Sequence, residues 1–151
     1  MRAAFARLCL LSCSLSCAYP TVWGGVGTKV QAKPNAYDRV ALSTVVTINS
    51  ELDRAVDWWV AECPHVPREV FEARRNSFLV IILGERKNLG GKVAGIYDRT
   101  EHRCHIIWEE GDPDIRAARL AAHEFGHGAA VNCLGHTDPD HLFMFERDYG
   151  W

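Results

Sequence analysis

The sequence lacks any stretch in which Lys and Arg cluster, and 17 basic residues against 19 acidic ones leave a net charge of −2. That excludes the electrostatic footprint of a nucleic-acid binder. Internal repeats and low-complexity tracts are absent as well. No apolar run comes near the ~20 residues that a permanent bilayer-spanning helix needs. What is present is an ordinary globular balance, with 48% hydrophobic and 24% charged residues in a chain of 151. That length suits one domain with a real core.

The N-terminus departs from that balance. Arg2 and Arg7 precede the apolar run Leu8-Cys9-Leu10-Leu11, and small residues lead on to Tyr19-Pro20. This order reads as a secretory signal over residues 1–18. Two processing readings stand. Cleavage can follow Ala18, with Ser16 at the −3 position. Alternatively Leu10-Leu11-Ser12-Cys13 resembles a bacterial lipobox, with Cys13 as the lipidated first residue of a lipoprotein. The expected location is secreted or cell envelope, either periplasmic or anchored to the membrane through Cys13. Cys63, Cys104 and Cys133 fall in the remaining domain, and their pairing is left open.

Residues 19–36, with Gly24-Gly25, Gly27 and Pro34, read as a linker. A folded domain is expected over 37–151. Alternation of Val40, Leu42, Thr44, Val46 and Ile48 predicts a strand. Asn49-Ser50 then offers a helix cap, and Leu52, Val56, Trp59, Val60 and Cys63 have helical spacing up to Pro64. The Trp58-Trp59 pair is expected in core and flank packing. Phe78 to Leu83 is a continuous apolar run suited to a strand buried on both faces. Lys92 to Asp98 and Cys104 to Glu109 read as two further strands. Asp112-Pro113 opens another helix, with Asp112 as its N-cap, Pro113 in the first turn, and Ile115, Ala118, Ala122, Phe125 and Ala129 as its core stripe. The fold class is α/β (α+β), a mixed sheet with helices packed on it.

Chemistry concentrates in His123-Glu124-Phe125-Gly126-His127. Histidines four apart share one face of a helix, so both imidazoles can reach one metal ion. Glu124 then stands beside that ion, where it can take a proton from water. A catalytic zinc needs a third protein ligand and an open position. His136 is the leading candidate, because Gly135 before it lets the chain turn back under the metal. Asp138, His141 and Glu146 are the rivals. Asn132 is expected to cap the helix end. His65, His102 and His105 read as surface or strand residues.

The segment from His123 to Met144 resembles the zinc site of the metzincin peptidases, and of a minimal bacterial matrixin-like protease in particular. The likeness lies in the two motif histidines and glutamate, Gly135-His136, and the loop through Thr137-Asp138-Pro139-Asp140-His141-Leu142-Phe143 to Met144. The resemblance implies a twisted mixed sheet with an antiparallel edge strand, two packed helices, a zinc cleft and a Met-turn at Met144. It implies a zinc-dependent endopeptidase with one catalytic Zn2+ held by His123, His127 and His136. Glu124 would be general base for a zinc-bound water. Val93-Ala94-Gly95, similar to the family's edge strand, would hold an extended peptide by backbone pairing. Eight residues separate His127 from His136, where the family usually has five. No sequence for a second zinc, a calcium loop or a cysteine-switch propeptide is evident. The expected partner is a peptide or protein substrate, with the enzyme taken as a monomer. The alternative is a zinc-binding envelope protein of weak or no activity.

Overall fold

The computed structural model describes residues 21–22, 28–32, 40–147 and 149–150. The leader, its cleavage position and Cys13 lie outside the described residues. Among the described residues five strands form one mixed sheet: β1 (Thr21–Val22), β2 (Lys29–Ala32), β3 (Leu79–Leu83), β4 (Gly95–Asp98) and β5 (Arg103–Ile107). Their order is β1-β2-β3-β5-β4. The central strands β2, β3 and β5 are parallel, while β1 and β4 run antiparallel at the two edges. Four α-helices accompany them among the described residues: α1 (Leu42–Glu62), α2 (Arg68–Ser77), α3 (Asp114–Leu134) and α4 (Leu142–Glu146). The mixed α/β class read from the sequence is therefore what the chain forms.

The expected strand over 40–48 is instead the first two turns of α1. Leu42 and Val46 of the alternating set point to solvent, while Val45, Ile48, Leu52, Val56 and Trp59 are buried at helical spacing. Five residues are too few to separate the two periods, and burial of the helical set decides. Asn49 is accordingly no cap. Its amide donates to the Val45 carbonyl one turn back, and its Oδ1 accepts from the Thr28 N–H just before β2. Residues 19–36 are more than a linker, because β1 and β2 belong to the sheet and Val30 and Ala32 are fully buried.

Helix α2 has no counterpart in the sequence reading. It buries only Phe71 and Arg75, so it shows almost no apolar period. The signal that was available is electrostatic, with Glu69 in the first turn and Arg74 and Arg75 in the last, both favoured by the helix dipole. Trp59 is core and Trp58 its flank, as expected. Both meet Phe143 and Tyr149 in one aromatic cluster. The run at β3 is buried on both faces, Val80 and Ile82 against the helices and Ile81 and Leu83 on the far side.

Helices α1 and α3 lie side by side and parallel, fastened at both ends. At the N-terminal end Asp114 accepts hydroxyls from Ser43 at 3.2 Å and Thr44 at 2.8 Å. At the C-terminal end Cys63 and Cys133 form a disulfide with their Cα atoms 5.8 Å apart, and Cys104 stays a free buried thiol. Between these ends Ala117, Ala118, Ala121, Ala122, Ala129 and Ala130 are buried, and their small side chains let α3 come close to its neighbours. Ile115, expected in that stripe, is 37% exposed and faces a recess. Asp112 does not cap α3 as expected. Pro113 is the N-cap residue, and the Asp112 carboxylate accepts from the Glu109 N–H.

The disulfide closes a sequence separation of 70 residues. In the chain-entropy picture such a link is worth about 4 kcal/mol. Replacing Cys63 and Cys133 together with alanine should lower the unfolding free energy by about 3–4 kcal/mol in denaturant titration. A loss under about 1 kcal/mol would show that the link constrains little.

Candidate metal centre

Helix α3 presents His123 and His127 on one face, with ring centroids 5.2 Å apart. The third imidazole beside them is His141. Its ring centroid lies 4.9 Å from that of His123 and 4.6 Å from that of His127. One nitrogen from each of the three rings lies within 4.8 Å of the others. His123 Nε2 and His141 Nε2 are 3.0 Å apart. Two nitrogens bound to one tetrahedral zinc at ~2.0–2.1 Å would stand about 3.3 Å apart, close to this spacing.

His136, the leading third ligand in the sequence, is not in this group. It is exposed, and its Nδ1 accepts the Asp138 N–H at 3.1 Å. The reason is the length of α3. The helix does not stop at Asn132 but continues to Leu134, with Gly135 as a left-handed cap at φ 81°. The seven residues of helix after His127 rise about 10 Å, so His136 emerges beyond the helix end, far along the axis from His127. The chain must first run back toward the motif, and His141 is the histidine that arrives there.

The return loop is held by Asp138, one of the rival ligands. Its buried carboxylate accepts the N–H groups of Phe143 at 3.2 Å and Met144 at 3.0 Å, the otherwise unpaired donors at the start of α4. Its carbonyl accepts the His141 N–H at 3.0 Å. Asp138 and His141 both adopt positive φ, 50° and 58°, which bends the loop tightly. Glu146, the other rival, is exposed at the end of α4.

The second contacts suit a metal ligand. His127 Nδ1 lies 2.8 Å from the Thr137 carbonyl, which can only accept. The proton therefore sits on Nδ1, and Nε2 is left as a donor of electrons. Burial lowers the His127 pKa below its ordinary value, and the adjacent His141 adds to this against the Thr137 hydrogen bond and Asp138. A neutral ring is what a metal requires.

Glu124 is 5% exposed, and burial raises its pKa to about 7. It lies against β4, since a Cβ on Gly95 would collide with Glu124 Oε1. On the other side of α3, a Cβ on Gly126 would meet Tyr149 Cε1 at 2.7 Å and Met144 Sδ at 2.9 Å. Met144 is thus a buried support beneath the motif, and the Tyr149 hydroxyl donates to the Ala122 carbonyl at 2.7 Å.

Two recesses flank Glu124. One of about 480 Å³ is lined by Ala94, Gly95, Ile115, Leu120 and His123. The other, about 380 Å³, is lined by Ile96, Tyr97, Arg99, His127 and His141. Of the expected substrate strand, Ala94 pairs with β5 through its carbonyl, which accepts the Ile107 N–H at 2.8 Å. Gly95 begins β4, and Val93 is exposed before it. β4 is terminal in the sheet, so its outer edge has no partner among the described strands. Searches of family models, curated proteins and solved structures found no match to the chain.

Zinc titration should separate the two candidate third ligands. His141→Ala should weaken zinc binding by more than about 100-fold, since even the outer partners of ligands are worth 10–100-fold. His136→Ala should leave affinity within about threefold of wild type, and the reverse ranking would restore His136 as the ligand.

The raised Glu124 pKa also predicts a pH dependence for the metal-free protein. Between pH 4.5 and about 7 the folded state holds a proton that the unfolded state has lost, so Glu124 costs stability as pH rises. His127 acts oppositely, because its lowered pKa favours folding as pH rises through 6.5. Subtracting a Glu124→Gln variant isolates the first effect. The stability of wild type relative to that variant should fall on the order of 3 kcal/mol across this window, measured by denaturation at each pH.

Proposed function

We propose that the chain is a zinc-dependent metalloendopeptidase with a metzincin-like fold. The observation that carries this reading is the gathering of His123, His127 and His141 beside the buried Glu124 carboxylate. Three neutral imidazoles and one free position are the donor set of a catalytic zinc. His123, His127 and His141 would hold the ion, with the His127 ring oriented by Thr137. When bound, zinc supplies a Lewis acid for the scissile carbonyl and lowers the pKa of water to about 7.

The chain's own residues account for the remaining steps. Glu124 takes a proton and returns it to the leaving amine, acting first as base and then as acid. The β4 edge holds an extended peptide by backbone hydrogen bonds, which places no demand on a chain terminus and favours internal bonds. The recess beside His123 is mostly apolar and accepts a substrate side chain. The antiparallel edge strand and the buried Met144 support a metzincin-like reading. The third histidine departs from it, standing three residues before the methionine and at position 141 where 136 was expected.

The Cys63–Cys133 disulfide favours an oxidising compartment, which fits export by the N-terminal leader. No described helix is long and apolar enough to cross a membrane.

The test compares wild type with Glu124→Gln in zinc content and in cleavage of an unstructured peptide. Both proteins should bind one equivalent of zinc. Cleavage by the variant should drop at least about 100-fold, the lower range for a general base. Zinc binding without cleavage in wild type would leave a zinc-binding protein, and equal cleavage by both would remove Glu124 from the chemistry.

A further inference from the structure

A third recess, of about 380 Å³, adjoins the metal cleft and is lined by Arg74, Ser77, Arg99, His102 and Asn132. Arg99 lines both spaces, so they meet at its side chain. The recess is set apart by charge. Arg74 donates to Asn132 Oδ1 at 2.5 Å and to Tyr97 Oη at 3.3 Å, and it faces His102 Nδ1 at 3.3 Å. None of these partners is an acid. Two other arginines of α2 differ, Arg68 pairing with Asp57 and Arg75 with Asp53.

The His102 ring does not neutralise the charge either. Its Nε2 lies 2.8 Å from the Arg74 carbonyl and so carries the proton, which leaves Nδ1 to accept from the Tyr97 hydroxyl at 3.0 Å. Arg99 is exposed and pairs with no described acidic side chain, and no carboxylate lines the recess. Two guanidiniums thus share a concave site with only neutral groups. Asn132 takes Nε of Arg74 while Tyr97 and His102 face Nη1, so the guanidinium is held in place and Nη2 is left as a charge-assisted donor for an oxyanion. A half-buried cation without a counter-charge is costly, and an anion from outside would offset that cost.

We infer that this recess is an oxyanion-binding site for a carboxylate or phosphate group, with Arg74 and Arg99 as its binding residues. Its continuity with the cleft would let an acidic side chain of a peptide lying along β4 reach it.

Inorganic phosphate titrated calorimetrically into wild type, Arg74→Gln and Arg99→Gln at constant ionic strength tests the site. Each variant should bind phosphate about tenfold more weakly than wild type, the worth of one charge-assisted contact. Arg99 is exposed and pairs with no described acidic side chain, so its variant should keep the wild-type Tm even if Arg74→Gln does not. Failure of wild type to bind millimolar phosphate, or equal binding by Arg99→Gln, would overturn the proposal. Binding lost in His127→Ala but kept in Arg99→Gln would assign the anion to the metal centre and overturn it too.

A second arm identifies the source of the anion. Peptides differing only by Glu or Gln are titrated into Glu124→Gln. A Glu preference that Arg99→Gln abolishes supports the site with a peptide carboxylate as occupant. Equal binding of the two peptides, with phosphate binding retained, supports it as a site for a free anion. Both arms read binding, so a lack of hydrolysis would leave them unaffected.

Discussion

Close approach of α3 to its surroundings is the constraint on which the centre depends. Three glycines mark it. At Gly95 the Glu124 carboxylate takes the place of a side chain, and at Gly126 Met144 and Tyr149 do so. At Gly128 a Cβ would stand 2.8 Å from the Tyr97 hydroxyl. The motif helix is therefore gripped by β4 on one side and by the α4 segment on the other, at backbone distance. A methyl group at these positions would have to push apart elements that otherwise hold His123, Glu124 and His127 in one cleft. Buried alanines along the same helix allow the matching contact with the rest of the core.

A second constraint is the fastening of α3 to α1 at both ends. Asp114 binds the hydroxyls of Ser43 and Thr44, and the disulfide joins Cys63 to Cys133. The linked end is the one from which the chain leaves for His141. From there Gly135 turns the backbone, and Asp138 closes the loop on the first N–H groups of α4. His141 is thus delivered by a capped, bent loop whose start is anchored by a covalent bond. The same geometry buries Met144 under the motif as one more part of the support.

Much of this was legible in the residues. The spacing of His123, Glu124 and His127 needs only helical periodicity to put both rings on one face, and the apolar run at β3 needs only strand length and burial. Other features were ambiguous for physical reasons. Val40 to Ile48 carries both a period of two and the beginning of a period near 3.6, and only contact with the sheet selects the second. Helix α2 escaped notice because it contributes few apolar side chains and is charged on most of its surface. β2 was obscured by the glycines and proline around it, although Val30 and Ala32 are fully buried between neighbours that are distant in sequence.

The sequence by itself determined the chemistry available: two histidines and a carboxylate on one helix, further histidines close behind, and cysteines able to pair. These follow from local rules, since a helix places i and i+4 together whatever surrounds it. Which later histidine joins them was a tertiary decision. It depended on where α3 ends, a matter of two residues beyond Asn132, and on how the chain returns along it. Tertiary packing also raised the Glu124 pKa by excluding water, and left Arg74 and Arg99 in a recess without an acid. Burial and proximity between segments far apart in the chain have no local signature, which is why the fold alone could set them.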